Sequence, residues 1–414
     1  MFRKTLSVIS LGCFRNTVDC EIVVSRFLDE GYILKDNYGS VDLLIVNTCG
    51  FIDKAKIESL EVIKEAVDLK KKGRVKKLLV LGCLIERYRK DLEKIFPQVD
   101  QWQGVESFRQ KFTKRAKLSP PYVDFLKICE GCFNKCSYCA IPLIKGALRS
   151  KPKKEVLKEA KFLDKNGIKE LNIIGQDITS WGKDLKEKGD LTALIKSILK
   201  ETKNIRWIRL IYTHPKHVSS SLLDLIAKSE RICKYIDLPI QHINDRILKL
   251  MNRGVTKKEI VDLIKKIREK IPDCTIRTSL IAGFPTEEEK EFEELLNFLK
   301  KIKFEKLGVF IYSREENTPA YNLSPQVHYR IKFRRFQQIL ALQRDIAKTA
   351  NERFLGREVD VLVEEKQKDM FIGRSQYDAY EVDGAVFLKK KGLRIGEFYN
   401  AKIVDAYDYD LVGI

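Results

Sequence analysis

The chain has only four histidines in 414 residues, too few for a histidine-rich metal centre. No apolar run is long enough to span a bilayer. Met1-Phe2-Arg3-Lys4 leads directly into a strand-like Leu6-Ser7-Val8-Ile9, with none of the marks of a secretory leader. Internal repeats and low-complexity tracts are also absent. These absences predict a cytoplasmic protein with no membrane partner. Its ten cysteines would then sit in a reducing compartment, where metal binding or catalysis is the default use and disulfides are not expected.

The length allows about two to four domains, and a hydrophobic fraction of 44% is ample for their cores. The formal charge of +20 invites a nucleic-acid partner. The alternative is lysine spread over solvated helix faces, and Lys70-Lys71-Lys72 fits that reading equally well. The charge is uneven. Residues 351–414 hold 10 Lys and Arg against 13 Asp and Glu, a balance of −3, so the rest of the chain carries +23.

Residues 1–106 alternate strand and helix, with apolar runs at 6–11, 41–46 and 77–81 and amphipathic segments at 18–30, 54–69 and 84–96. That alternation predicts a small α/β domain with a parallel sheet. Residues 107–121 are polar and basic, end in Pro120-Pro121 and read as a linker. Residues 122–350 carry six strand candidates, at 122–128, 170–175, 207–212, 235–238, 275–282 and 307–311. Helical patterns between them include 156–165, 221–228, 257–270 and 286–301. Six β/α units predict a partial barrel whose reactive loops follow the carboxyl ends of the strands. A helix over 330–354 leads into residues 351–414, whose short alternating strands at 358–364, 371–374, 385–388 and 402–407 predict a small antiparallel barrel, OB-like in size.

The most informative segment follows the first strand of the central region. Gly131-Cys132-Phe133-Asn134-Lys135-Cys136-Ser137-Tyr138-Cys139 sets three thiols at C-x3-C-x2-C spacing. Thiolates this close suit an iron–sulfur cluster. Three ligands to a four-iron cluster leave one iron open for a cofactor or substrate. A zinc site that recruits Cys129 is the alternative, although structural zinc sites usually split two Cys pairs across a longer loop. Cys129 ends an apolar strand and reads as a small core residue. The three-Cys pattern resembles that of the radical S-adenosylmethionine (SAM) enzymes. The resemblance implies a low-potential cluster, reductive cleavage of SAM and a 5′-deoxyadenosyl radical.

Three other cysteines each stand just past a predicted strand: Cys13 after Leu11-Gly12, Cys49 after Asn47-Thr48 and Cys83 after Leu81-Gly82. In open α/β sheets ligands bind at that edge. Spacings of 36 and 34 residues therefore do not prevent the three from meeting at a second cluster. The alternative is three unrelated buried cysteines. For SAM contacts, Gly175-Gln176-Asp177 and Gly283-Phe284-Pro285 each close a barrel strand, where glycine lets backbone approach a ligand. Ordinary turn chemistry explains both segments equally well. Arg149, near the cluster loop, suits the SAM carboxylate or a surface role.

A three-Cys α/β domain, a radical SAM barrel and a small terminal barrel, in that order, resemble the methylthiotransferases over nearly the whole chain. Matching segments include Val46-Asn47-Thr48-Cys49-Gly50-Phe51-Ile52, Gly82-Cys83-Leu84, Arg277-Thr278, Ala282-Gly283-Phe284-Pro285 and Tyr312-Ser313-Arg314-Glu315. The resemblance implies that Cys13, Cys49 and Cys83 hold an auxiliary 4Fe-4S cluster and that Cys132, Cys136 and Cys139 hold the SAM cluster. One SAM would supply a methyl group and a second the radical. The terminal barrel would be a TRAM domain.

One branch of this family modifies a tRNA adenosine. Another modifies an aspartate of the twelfth small-subunit ribosomal protein. Gly-Phe-Ile after Cys49, Gln176-Asp177-Ile178-Thr179, the acidic Glu315-Glu316 and the tail segment Ile372-Gly373-Arg374-Ser375 resemble the second branch. A tail of −3 is a poor RNA clamp but can face a basic ribosomal protein, and the basic remainder can touch ribosomal RNA. The expected partners are that protein, a low-potential donor such as flavodoxin or ferredoxin, and no second copy of the chain.

The sequence departs from the pattern at four places. Phe14-Arg15 stands where Pro-Lys is common, Thr286 and Asn317 replace glycines, and Tyr380 replaces a proline. A tRNA methylthiotransferase is the competing reading. A non-catalytic iron–sulfur carrier or RNA-binding module comes from another class. No side chain singles itself out as a general base.

Overall fold

The computed structural model describes residues 4–105, 111–187 and 189–414. Residues 107–110 of the expected linker, and Met1-Phe2-Arg3, lie outside the described residues.

The first region contains β1 (Thr5–Ser10), α1 (Phe14–Asp29), β2 (Ile33–Leu34), β3 (Val41–Thr48), α2 (Asp53–Lys71), β4 (Val75–Gly82), α3 (Cys83–Ile95) and β5 (Gln101–Gln103). Its five strands are all parallel, in the order β2-β1-β3-β4-β5. Alternation along the strands divides the core in two. Leu44, Val46, Leu78 and Val80 pack with Ile63 and Val67 of α2 and Leu84 of α3. Leu43, Ile45, Leu79 and Leu81 pack with Cys20, Val23 and Val24 of α1. With helices on both faces, the strand order reverses between β1 and β3. The carboxyl ends of these two strands therefore flank the crevice in which such sheets bind ligands. β2 and β5 are short edge strands that the hydrophobic pattern does not reveal.

The chain next forms β6 (Val123–Lys127), β7 (Cys129–Glu130), α4 (Ile141–Lys145), β8 (Arg149–Ser150), α5 (Lys153–Lys165), β9 (Glu170–Ile174), α6 (Leu191–Glu201), β10 (Trp207–Leu210), α7 (Ser220–Lys228), β11 (Tyr235–Asp237), α8 (Asp245–Leu250), α9 (Lys257–Lys270), β12 (Thr275–Ala282), α10 (Glu289–Ile302) and β13 (Lys306–Ile311). β6-β9-β10 and β11-β12-β13 are parallel sheets joined through a bridge between Ile208 and Ile232. The result is the expected arc of six parallel strands. Small β7 and β8 pair as an antiparallel ribbon beside it.

Helix α11 (Tyr329–Glu352) leads to β14 (Glu358–Gln367), β15 (Met370–Ser375), β16 (Val386–Leu388), β17 (Phe398–Ala406) and β18 (Leu411–Gly413). They form a closed barrel in the order β14-β15-β16-β18-β17. The unanticipated β18 completes it, and its pairing with β16 is parallel, so the barrel is not wholly antiparallel.

Two features weld the regions together. The expected linker is strapped to both regions: Arg115 pairs with Glu21, Asp124 (2.6 Å) and Glu159 (3.4 Å), and the Leu118 amide donates to Glu21 (2.9 Å). One apolar cluster also joins all three regions, with Val18 from the first, Phe125, Trp207 and Tyr235 from the second, and Leu362 and Ala379 from the third. Beside it, buried Glu170 is held between Arg209 (2.9 Å) and Arg374 of the terminal barrel (2.6 Å).

Candidate functional site

Each cysteine group sits where its strands end. Cys13 precedes α1, Cys49 follows β3, and Cys83 starts α3 directly after β4. Gly82, at φ 112°, lets the chain turn into Cys83; a Cβ there would collide with the Thr48 carbonyl. Asn16 ties the three loops. Its amide donates to the Thr48 carbonyl (3.3 Å), its Oδ1 accepts from the Cys83 thiol (3.2 Å), and its own carbonyl accepts from Asn47 (3.1 Å). The Cys49 amide donates to Ser59 Oγ (3.0 Å), which donates back to the Cys49 carbonyl (3.0 Å).

The three thiols are close enough to shift one another's ionisation. Burial raises all three. It prevails at Cys49 and takes Cys83 to about 12. At Cys13 burial is opposed by the Arg15 guanidinium, 3.4 Å from Sγ, and then by the Asn16 amide and the Lys145 charge, which together bring the thiol below its ordinary value. A positive group beside a buried thiol favours the thiolate that binds metal.

Cys132, Cys136 and Cys139 share the loop after β7. Gly131, at φ 70°, is required because a Cβ there would enter the Ala147 carbonyl. The loop is braced from far away in sequence. Asn134 donates to Asp177 (2.8 Å), the Ser137 amide donates to the Met251 carbonyl (2.9 Å), and Arg253 donates to Cys136 Sγ (3.4 Å). Burial raises Cys132 and takes Cys139 to about 12, with Arg253 opposing it at Cys139. Cys129 is fully buried in the barrel core.

Among the described residues, no three His, Cys, Asp or Glu side chains converge where a single ion could be held. A four-iron cluster is bulkier than one ion, so its thiolates stand wider apart than the ligands of a mononuclear site. The donor set in both places is three cysteines with a nearby guanidinium, which suits an anionic thiolate cluster.

A cavity of about 400 Å³ opens beside the second triad. Cys132, Cys136 and Cys139 line it, and the first region contributes Arg15, on the first turn of α1 after Cys13, and Phe51 and Ile52, from the loop of Cys49. Arg15 therefore spans the two groups: it touches Cys13, donates to the Gly175 carbonyl (3.1 Å) and lies 4.2 Å over the Tyr212 ring. Buried Glu315 locks the two regions around the cavity through Arg87 (2.6 Å) and Lys56 (3.0 Å). Tyr212 (φ 68°) and Gln241 (φ 71°) also line it, in a backbone conformation that non-glycine residues rarely adopt.

Four buried polar atoms on lining residues have no partner among the described residues: Gln176 Oε1, His214 Nε2, Arg253 Nε and Tyr312 Oη. His214 Nδ1 accepts from the Lys216 amide (3.2 Å), which leaves the proton on Nε2. Burial, then the Arg253 charge, lowers the His214 pKa to about 2, so the ring is neutral. One acceptor, two donors and a hydroxyl suit a small ligand with cationic and anionic ends, such as the methionine part of SAM.

Of the residues suggested by sequence, Gln176 and Asp177 line the cavity. The Asp177 carboxylate is occupied by Asn134, Ser180 (2.7 Å) and His217 (3.0 Å), so it braces the cysteine loop. Gly175 packs against Cys129 Sγ. Gly283, Phe284 and Pro285 are not in the lining. The amides of Gly283 (2.9 Å) and Phe284 (3.0 Å) donate to Glu287, and the Phe284 ring is buried behind Tyr312. Arg149 is exposed on β8 and is also outside the lining. Sequence reasoning missed Arg253, Arg277, Tyr212 and His214. Only Arg277 carried a signal: Arg277, Ser279 and Ile281 alternate along one face of β12, and all three line the cavity.

Family models agree with this layout. The radical SAM superfamily matches residues 126–299, an uncharacterized protein family, UPF0004, matches 5–104, and the TRAM domain matches 355–414. The ribosomal protein uS12 methylthiotransferase RimO of Thermoanaerobacter sp. (strain X514) is 41% identical over 99% of this chain and 99% of its own length. The protein of the same name from Aquifex aeolicus (strain VF5) is 41% identical over 99% of this chain and 96% of its own. Among solved structures, the radical SAM methyltransferase TsrM from Kitasatospora setae aligns with a TM-score of 0.54 at 14% identity, over 77% of each chain. The cobalamin-dependent radical enzyme OxsB aligns at 0.51 and 10% identity, over 82% of this chain and 56% of that one. At these identities the solved structures bear on the fold alone.

Proposed function

We infer the function from the premise that the chain belongs to the ribosomal protein uS12 methylthiotransferase RimO family, as relatives 41% identical over 99% of its length establish. It is a radical SAM transferase that uses an iron–sulfur cluster and SAM to place a methylthio group on ribosomal protein uS12. The acceptor is the β-carbon of an aspartate, where SCH3 replaces hydrogen. A tRNA adenosine substrate is not favoured, because relatives that match 99% of the chain carry the uS12 name.

The finer assignments rest on the cavity. Cys132, Cys136 and Cys139 hold the cluster that binds SAM, and Cys13, Cys49 and Cys83 hold an auxiliary 4Fe-4S cluster. When bound, these groups supply the one-electron chemistry that replaces an unactivated C–H hydrogen. Gln176, His214, Arg253 and Tyr312 bind and orient the polar end of SAM through their unpartnered atoms. Phe51, Ile52 and Ile281 give the cavity apolar wall that limits water. Arg15 braces the side facing the auxiliary cluster. The observation that carries this reading is that loops of both cysteine groups meet at one cavity.

The electron donor is of the flavodoxin or ferredoxin type, and the enzyme works as a monomer. The basic remainder of the chain contacts ribosomal RNA, while the acidic tail, which is the TRAM domain, faces the basic protein. Among the described residues, no helix is long and apolar enough to cross a membrane. To test the reading, anaerobically reconstituted enzyme, SAM and a strong reductant are incubated with uS12 or with unmodified tRNA and analysed by mass spectrometry. A methylthio group on the uS12 aspartate is expected. Modification of tRNA alone would overturn the substrate assignment.

A further inference from the structure

Three arginines line the cavity, Arg15, Arg253 and Arg277, and they are not equivalent. Arg15 and Arg253 are each committed to a thiol, Cys13 and Cys136, at 3.4 Å. Arg277 touches neither. Its Nη1 lies 3.2 Å from Asp237 Oδ1 and 3.3 Å from Ser279 Oγ, and its Nε lies 3.7 Å from Asp383. These contacts are long for charge-assisted hydrogen bonds, which run about 2.7–2.9 Å. The side chain keeps 16% of its surface exposed, on the cavity face of β12.

The surroundings leave room beside this guanidinium. Gly308 on the neighbouring β13 has no side chain there, and a Cβ would come within 3.3 Å of Arg277 Nη2. Neither acid depends on Arg277 alone. Asp237 accepts from the Tyr212 amide (3.0 Å), and Asp383 accepts from the Tyr235 hydroxyl (2.6 Å) and the Ala379 amide (2.9 Å). Ile281 and Phe310 provide apolar wall close by in the same lining. A guanidinium fork loosely held by two acids, against an apolar wall, matches one carboxylate on a short aliphatic stem.

We propose that Arg277 is the binding site for the carboxylate of the substrate aspartate, and so a specificity-determining residue. The proposal rests on the functional reading above. The carbon that gains sulfur is bonded directly to that carboxylate. Holding the carboxylate at two points therefore fixes the β-carbon, and with it which hydrogen faces the radical source. SAM carries a carboxylate too. Arg253, beside Cys136 with an unpartnered Nε, is the better placed partner for a ligand held at that cluster.

The test is a cycle on the reconstituted enzyme with SAM bound. Affinity is measured for uS12 and for uS12 with its target aspartate changed to asparagine, using wild type, Arg277→Met and Arg277→Lys; SAM affinity is measured in parallel. Wild type should prefer the aspartate form by on the order of 10- to 100-fold, the loss expected for a charged hydrogen-bonded pair. Arg277→Met should bind both forms equally, and Arg277→Lys, which keeps charge without the fork, should fall between them. Melting curves of each variant identify any that fail to fold, and for those the wild-type comparison still decides. Wild type binding both forms alike overturns the proposal. So does Arg277→Met retaining the preference, or losing SAM affinity in its place, which would assign the site to the SAM carboxylate. If wild type leaves uS12 unmodified, the functional reading fails and the proposal falls with it.

Discussion

Cys132, Cys136 and Cys139 fall within a single loop, whereas Cys13, Cys49 and Cys83 come from three loops along one sheet edge. Their bracing is reversed. The compact triad is held by distant residues: Arg253 reaches Cys136 across 117 positions, and Asp177 reaches Asn134 across 43. The dispersed triad is held by near neighbours of one of its own members, Arg15 and Asn16 beside Cys13. In ionisation one thiol stands out: Cys13, beside Arg15, is brought down, while burial raises Cys49 and Cys83 as it raises Cys132 and Cys139. A motif that is local in sequence can thus be a long-range construction in space, and a dispersed one can owe its assembly to a single turn of helix.

The largest expected effects separate the two triads by product. Cys139→Ala should abolish 5′-deoxyadenosine formation, by more than the ~10- to 100-fold typical of changes around metal ligands. Cys13→Ala should remove methylthiolation and retain much of that formation. Chromatography of both products checks this, and equal loss in both variants would break the division of labour. Arg253→Ala should lower 5′-deoxyadenosine formation by about 10- to 100-fold, as an outer support of the compact triad.

Asn16→Ala sharpens the comparison next. It strands the buried Thr48 carbonyl and the Cys83 thiol, at about 1–3 kcal/mol. Iron analysis should show loss of about half the bound iron, all from the dispersed triad. Loss of iron from both would mean that the supports are shared.

The same contrast explains what could be read from the chain. The compact triad was legible by spacing. The dispersed one was legible because each cysteine follows a strand, and strand order 2-1-3-4-5 brings those ends together. Bracing was not legible, since Arg253 and Asp177 meet the loop only once the barrel closes. Gly283-Phe284-Pro285 looked like ligand-contacting backbone, but Glu287 takes its amides. The departures from the family pattern acquire reasons only in space. Phe14 stacks on Phe125 (4.2 Å) and lies 6.1 Å from Tyr380, so two of the substituted positions meet at the junction of all three regions. Short strands such as Gln101–Gln103 and Leu411–Gly413 carry too few residues to show a period, and tertiary pairing alone defines them.

A perturbation far from both triads should affect them equally. Burial raises the Glu170 carboxyl, but Arg374 and then Arg209 outweigh it and hold the pKa at about 2, against 4.5 for a free group. A depressed pKa contributes stability above the unfolded value, and that stability is lost as pH falls from about 4.5 toward 2. The contribution is on the order of 3 kcal/mol. Melting of the metal-free chain should therefore become easier across that window. Glu170→Gln should flatten the dependence and already melt early at neutral pH. At neutral pH this variant, once reconstituted, should keep the wild-type ratio of the two products. A changed ratio would mean that the terminal barrel favours one triad.

The smallest effect belongs to the turn after Phe284, outside the cavity lining, where Thr286 stands at φ 66°. A β-branched residue rarely adopts this conformation, which costs roughly 1–2 kcal/mol for a residue with a Cβ. Thr286 is held there by Arg246, which donates to its Oγ1 (3.0 Å) and carbonyl (2.6 Å), and by its amide, which donates to Pro325 (2.9 Å). Thr286→Gly removes the strain but loses the Oγ1 contact and adds freedom to the unfolded chain. The net gain should be under about 1 kcal/mol, a rise of a few degrees at most in Tm. Asn317 is also left-handed, at φ 62°. Asparagine tolerates that region, so Asn317→Gly should be nearly neutral. If both variants gain equally, strain at Thr286 is not what sets the difference. If Thr286→Gly alone gains, the turn after Phe284 stores strain imposed by contacts from other elements, Arg246 and Pro325.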